Sequence, residues 1–423
     1  MSFLSDYLFF NGGNECPESY HIWSAITLLS SVISRKVYLD WGQHRIYPNL
    51  YVCLIGSQGS RKTTASDVVR DILTDHFPKI PRGASVTSSQ AISTYMGHDD
   101  NIRCFEDENK ILQEYHPYVI IANELKHFLG INPENMIRFL TDIYDRKWWD
   151  TNYKNVESEG FPNPYVVLLA CETPGWIVDN LKIEIISGGF ARRLIPIYET
   201  TIREPVDWPF MTDKMWKVRS EVIEKLKKVE KLVGPFTYTD EMRQFYKEWY
   251  YQIRKTPQND PTMEGFFSSM HTQMLKVAML LTIVEYGDLL LRKNMVEISI
   301  ALLDRVVPKM RELYSSAGRN ELAKPTGVLL QILNAAGGIM LEKQFLAIAF
   351  KDMDPRESYS VMRYLEQTEQ IFMVEKVVNG VTKKMVCTPA CAAALKRPKS
   401  SDVQAASPPS PEPPASIDEV ASP

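Results

Sequence analysis

Over its first two hundred residues the chain alternates two hydrophobic patterns: short unbroken apolar runs, and stretches where apolar residues return every three or four positions. The first pattern predicts buried strands and the second amphipathic helices. Asn49-Leu50-Tyr51-Val52-Cys53-Leu54-Ile55 reads as a buried strand, and Ala65-Ser66-Asp67-Val68-Val69-Arg70-Asp71-Ile72-Leu73 as the helix after it. The same alternation gives a strand end at Ser85-Val86-Thr87 with a helix cap behind it, and a strand at Tyr118-Val119-Ile120-Ile121-Ala122. It continues with a helix over 136–144, a strand at Tyr165-Val166-Val167-Leu168-Leu169-Ala170-Cys171, and a last strand at Leu194-Ile195-Pro196-Ile197-Tyr198. Such alternation predicts an α/β fold with a mostly parallel sheet.

The flanking segments have a different rhythm. Residues 1–48 read as a helical preface, with a helix over 20–34 and a short strand at 35–40, set beside the core (49–202) or bridging to a neighbouring subunit. Residues 203–323 predict a helical domain: a connector holding Trp208 and Trp216, then amphipathic helices at about 240–256, 268–286 and 294–317. Residues 324–395 predict three short helices (327–336, 341–350, 356–367) and a hairpin, 371–378 and 381–388, about Asn379-Gly380. Three helices and a hairpin make a winged helix. From 396 to 423 Ser, Pro and Ala dominate, and such a composition builds no core; the segment reads as a disordered tail and a tether for a partner.

Composition narrows the function. A net charge of −4 excludes a generally basic nucleic-acid coat while leaving room for a local basic patch. The start, Met1-Ser2-Phe3-Leu4-Ser5-Asp6, has no basic region before an apolar core, and the apolar stretch 275–284 is short and carries Lys276, so neither a secretory signal nor a membrane span is expected. The six cysteines are scattered without the spacing of a zinc site and read as reduced thiols of a cytoplasmic protein.

The chemistry is concentrated in Gly56-Ser57-Gln58-Gly59-Ser60-Arg61-Lys62-Thr63-Thr64, between a strand and a helix. Strand, Gly-rich loop, Lys-Thr and helix are the parts of a phosphate-binding P-loop: backbone N–H groups and the helix N-terminus cradle phosphates, Lys62 reaches the terminal ones, and the Thr63 hydroxyl sits on Mg²⁺. Arg61 stands where a glycine is usual, and its side chain must point outward. About sixty residues on, the run through Ala122 ends on Asn123-Glu124, where a P-loop ATPase carries its second acidic strand. Glu124 is the expected base that polarises water. Asn123 can accept from a metal-bound water but adds no charge.

The next strand ends on Glu172-Thr173, either of which is placed to sense a γ-phosphate. The turn Gly188-Gly189-Phe190-Ala191-Arg192-Arg193 offers an arginine that could act in a neighbour's site. For DNA, Arg146, Lys147 and Trp148 open a stretch of interleaved basic and aromatic residues that runs on to Tyr153 and Lys154; Lys383 and Lys384 lie on the wing, whereas the third short helix is too acidic to hold phosphate well.

Together these motifs resemble the helicase-like P-loop ATPases of phages and plasmids, over about residues 10–320. The resemblance implies a RecA- or AAA-like core that binds ATP and Mg²⁺, forms a homo-oligomer (a ring), and acts on single-stranded DNA in replication in a host cytoplasm. It carries Lys62 and Thr63 to the P-loop roles, Glu124 to the base and Arg192 to the arginine of the Gly-x-x-x-Arg turn, with Arg193 second. The alternative expectation is an ATP-gated loader or switch that recruits a replication or regulatory partner through its C-terminal domain and tail. A small-molecule kinase fits poorly, since no arginine-rich lid is evident.

Overall fold

The computed structural model describes residues 2–83, 87–130, 133–151, 159–180, 189–255, 263–349, 355–378 and 381–395. The expected strand end at Ser85-Val86, Tyr153 and Lys154, Gly188, the Asn379-Gly380 turn and the tail lie outside them. The chain divides into two units, Met1–Ala317 and Gly318–Pro423.

The first unit is an α/β structure. Helices α1 (Phe3–Phe10) and α2 (Glu18–Ile33) precede a small hairpin, β1 (Val37–Trp41) with β2 (His44–Ile46). The central sheet then takes β3 (Tyr51–Ile55), β4 (Arg103–Glu106), β5 (Leu112–Ala122), β8 (Pro164–Glu172) and β9 (Leu194–Tyr198) in the order β4-β5-β8-β3-β9; β6 (Trp148–Thr151) and β7 (Glu159–Pro162) form a separate hairpin. All neighbours in the central sheet are parallel except the antiparallel β4-β5 pair. Beyond β4, the free edge of β5 is also bonded in parallel by residues 81–83: Val119 N–H donates to Pro81 O (3.0 Å) and Gly83 N–H to Val119 O (2.9 Å). Every residue of β3 and β8 is buried, as strands covered on both faces require, which is why they read as unbroken apolar runs.

The connections carry α3 (Lys62–His76), α4 (Ser89–Gly97), α5 (Leu125–Leu129), α6 (Pro133–Ile143) and α7 (Pro174–Asn180). The expected cap before α4 is present: Ser88 Oγ accepts from Ala91 N–H. The charged segment 106–110 is the turn joining β4 to β5, held by Asp107 Oδ1 accepting from the Asn109 and Ile111 N–H groups (both 2.9 Å).

Two expectations change. The preface, the core and the residues up to 317 are one packed unit: a single hydrophobic cluster runs from Phe3 through the sheet to Leu313. The helix Glu264–Tyr286 is buried along most of its length; it packs against α2 and the helix Asp213–Val229, and its apolar side chains join the common cluster rather than forming a core of their own. The connector, moreover, holds a helix, Asp213–Val229, that contains Trp216. Thr212 caps it, accepting from Met215 N–H, and Val218, Val222 and Leu226 form its buried stripe.

In the second unit, a three-stranded antiparallel sheet of Ile339–Leu341, Val381–Cys387 and Phe372–Val378 packs with helices, among them Glu342–Ala349 and Pro355–Gln367, around Leu333, Phe345, Val361, Leu365 and Ile371. The hairpin falls where the sequence places it. The strand Ile339–Leu341 and the helix Pro389–Leu395 are additions, and the division between units falls within the helix Lys293–Ala335, where a break before residue 327 is expected from the sequence. Among the described residues no helix is long and apolar enough to cross a membrane.

Candidate functional site

At the carboxyl ends of β3, β5 and β8, the loop Gln58–Thr64 meets Asn123, Glu124, Lys126, Glu172, Thr173 and Trp176 around a cavity of about 500 Å³. Ligands of open α/β sheets bind in this crevice outside the strand ends. The geometry starts with two glycines. A Cβ on Gly56 would lie 2.4 Å from the Tyr20 hydroxyl and 2.6 Å from Ser60 Oγ, so only glycine lets the chain turn beneath the loop. Tyr20 is fixed there by donating to Ile55 O (2.6 Å), which ties α2 to the end of the loop strand. Gly59 has φ +82°, a left-handed conformation that glycine adopts without strain.

Arg61 also lies in the left-handed region, at φ 63° and ψ 22°, immediately before α3. Its side chain does point outward, half exposed, and its guanidinium grips Glu15 Oε2 through Nε (2.8 Å) and Nη2 (2.6 Å). The Val206 N–H donates to the other Glu15 oxygen (3.1 Å), and these bonds hold the Glu15 carboxyl below the usual carboxylate range, the backbone bond contributing most.

Lys62 opens α3, and its Nζ donates to Gly56 O (2.8 Å), Ser57 O (2.7 Å) and Ser60 Oγ (3.1 Å). The ammonium is thus folded over the loop whose N–H groups border the same space. Burial lowers its pKa, and the neighbouring Cys171, Glu172 and Cys53 oppose that shift. Thr63, one residue into the helix, exposes its side chain toward the cavity.

The acids differ sharply. Glu124 is exposed at the cap position of α5, and His127 Nδ1 lies 3.1 Å from its Oε2. Glu172 is buried and fully engaged: Oε2 accepts from Lys126 N–H (2.8 Å), and Oε1 accepts from Thr173 N–H (2.8 Å) and from Thr173 Oγ1 (3.2 Å). Its carboxylate therefore pins the first turn of α5 to the end of β8. Asn123 Oδ1 accepts from Arg70 Nη2 (2.7 Å), and the same guanidinium donates to Ile121 O (3.3 Å) and pairs with Asp67. A cation at that amide works against a divalent ion there.

Side-chain oxygens open to a hard cation on the cavity wall include the Thr63 hydroxyl and the exposed Glu124 carboxylate. Among the described residues no cluster of three His, Cys, Asp or Glu could hold a metal on its own. That donor set fits Mg²⁺, which keeps several waters and leans on substrate phosphates rather than on an all-protein cage.

Within the first unit, the nominated arginines and Trp148 do not line this cavity. Arg192 is exposed on its turn; among the described residues its backbone O is engaged, by Ser269 Oγ (2.6 Å) and Gln273 Nε2 (3.2 Å). Arg193 turns inward, donating to Gly189 O (2.7 Å) with Asp145 at 3.5 Å and its guanidinium 5.5 Å from the Tyr144 ring centre. It is therefore spent on its own chain, and Arg192 is the arginine of the pair that can reach outward. Trp148, with Arg146 and Lys147 before it, is exposed on a hairpin whose Gly160 its ring closely approaches. Lys383 and Lys384 sit on the hairpin of the second unit, opposite Lys376 and Glu375. Sequence reasoning missed Lys126 and Trp176 as lining residues, although both lie within four positions of nominated ones.

Comparison with protein-family models gives no match, and comparison with curated proteins gives no detectable relative.

Proposed function

We propose that this chain is a P-loop ATPase with a RecA- or AAA-like core that works as a translocase or helicase-like motor on DNA, in the manner of phage and plasmid replication proteins. The observation that carries the reading is a cavity at the strand ends that Lys62, Thr63, Glu124 and Glu172 all line. The strand order supports it: β8 lies between the strand of the loop and the strand of Glu124, so the end of a third strand is presented to the nucleotide. In this reading Lys62 and the loop N–H groups hold the phosphates. Bound Mg²⁺, held by Thr63 and phosphate oxygens, would neutralise their charge. Glu124 orients and deprotonates water, and Glu172 fixes the turn that presents Glu124. Arg192 acts on the site of a neighbouring subunit, and the second unit is a winged helix.

The hydrogen bond between Arg70 and Asn123 favours a second reading, in which ATP is held but turned over slowly and the chain serves as a loader or switch. Steady-state ATP hydrolysis by the wild type, Lys62→Ala and Glu124→Gln, with and without single-stranded DNA, separates the two. DNA-stimulated turnover lost in both variants is expected of the motor. ATP bound by the wild type with negligible turnover selects the switch, and no ATP binding overturns both.

A further inference from the structure

A second cavity, of about 680 Å³, lies within the first unit between the end of β1 with Gly42 and the helix Asp240–Lys255. Its walls are aromatic and basic. Tyr246 and Tyr250 stack with ring centres 5.8 Å apart at 27°, and Trp41 meets Tyr246 edge-on at 5.8 Å. Tyr238 and Tyr251, which also line it, are 43% and 55% exposed. Arg243 and Lys247 stand one turn apart on the helix, about 6 Å along its axis, and both are exposed. Asp40 is the acid that lines this cavity, and Arg45 pairs with it at 3.3 Å. The Tyr246 hydroxyl is buried and has no hydrogen-bond partner among the described residues.

We propose that this groove binds single-stranded nucleic acid, with bases stacking on Tyr250 and Tyr251 and consecutive phosphates meeting Arg243 and Lys247. Each feature has a use in that role. Ring faces stack any base, and cations at a one-turn spacing suit the repeat of an extended strand. Neutralisation of the one lining acid leaves the groove attractive to phosphate, although the whole chain carries a net charge of −4. The inference extends the DNA partner of the proposed function to a definite site and rests on that part of the reading alone; it requires no ATP.

The test is fluorescence anisotropy of a labelled fifteen-residue oligothymidylate with the full chain, without nucleotide, across a salt series. Wild type is expected to bind. Tyr251→Ala, at an exposed position where folding is not at stake, should weaken binding about tenfold. Arg243→Ala with Lys247→Ala should weaken it further and make the log–log salt slope shallower by about 1.4, two single-strand phosphate contacts. An abasic oligomer of the same length should lose the sensitivity to Tyr251→Ala but keep the sensitivity to the two cations. Absent binding, or binding that all these variants leave untouched, overturns the proposal. Displacement by thymidine monophosphate at a comparable concentration overturns the polymer and leaves a mononucleotide site. ATP binding by the wild type, measured alongside, keeps the two readings separate, because oligonucleotide binding without any ATP binding would sink only the ATPase.

Discussion

Arg61 is a non-glycine held at positive φ next to the cavity, and the cost of that conformation is separable from its ion pair. A left-handed non-glycine residue costs about 1–2 kcal/mol, whereas an exposed pair such as Arg61–Glu15 is worth about 0–1 kcal/mol. Arg61→Ala and Arg61→Gly both remove the pair, but only glycine relieves the backbone. Arg61→Gly is therefore expected to unfold at higher urea than Arg61→Ala, by about 1 kcal/mol; equal midpoints would mean the position carries no strain. Gly56 is the opposite case. An added Cβ would press on the Tyr20 hydroxyl at 2.4 Å and approach Glu199 O at 3.1 Å, and Tyr20 cannot swing away without giving up its bond to Ile55 O. Gly56→Ala should lose about 1–3 kcal/mol in equilibrium denaturation, and a neutral result would show that the loop relaxes freely.

At the scale of elements, the helix Glu264–Tyr286 carries Lys276 into the core, 1% exposed. Its Nζ donates to Asn49 Oδ1 (2.8 Å), lies 3.9 Å from the centre of the Tyr144 ring and stands 3.8 Å from Asp145. The helix is thereby tied to the residue that leads into β3. Burial pushes the ammonium pKa down to about 8 from 10.5, with Asp145 opposing the shift. Below that value the lysine is charged in both states. Between it and the ordinary lysine value the unfolded chain binds a proton the folded chain has released, so this group makes stability rise with pH, by up to about 1.4 kcal/mol per unit. Denaturation at about pH 7.5 and about pH 9.5 should show the wild type gaining on Lys276→Met by about 1–2 kcal/mol. No relative gain would place the titration elsewhere.

The same helix shows what could be read in advance. Its existence was legible from apolar spacing; its role was not, because spacing does not say whether a helix builds a core of its own or joins a common one. The strands β3 and β8 were legible because burial on both faces demands unbroken apolar runs. β4 escaped, since an exposed edge strand needs no such run, and Asp213–Val229 was hidden by charges between its widely spaced apolar residues. The loop from Gly56 to Thr64 was readable because its parts are contiguous. The bonds from Glu172 to Lys126, Arg61 to Glu15 and Arg70 to Asn123 join residues 46 to 53 positions apart, which no local pattern reports.

At the scale of the whole molecule, adjacent arginines are given opposite tasks. Arg193 holds its turn together through Gly189 O and Asp145, and Arg193→Ala should cost about 2 kcal/mol of stability, the worth of a hydrogen bond to a charged group. Arg192 is exposed and does not line its own chain's cavity, so any part it has in ATP hydrolysis must be played on another copy. Arg192→Ala is accordingly expected to keep the wild-type melting point and ATP affinity while losing about 10³-fold or more in turnover. Mixing supplies the decisive readout. If each site takes its arginine from a neighbour, adding Arg192→Ala chains to wild type lowers activity faster than simple dilution does, and adding Lys62→Ala chains restores part of what Arg192→Ala lost, because each variant supplies the half-site the other lacks. Activity that falls only in proportion to the mutant fraction, with no rescue in the mixture, would assign each site to a single chain and remove the arginine from the reaction.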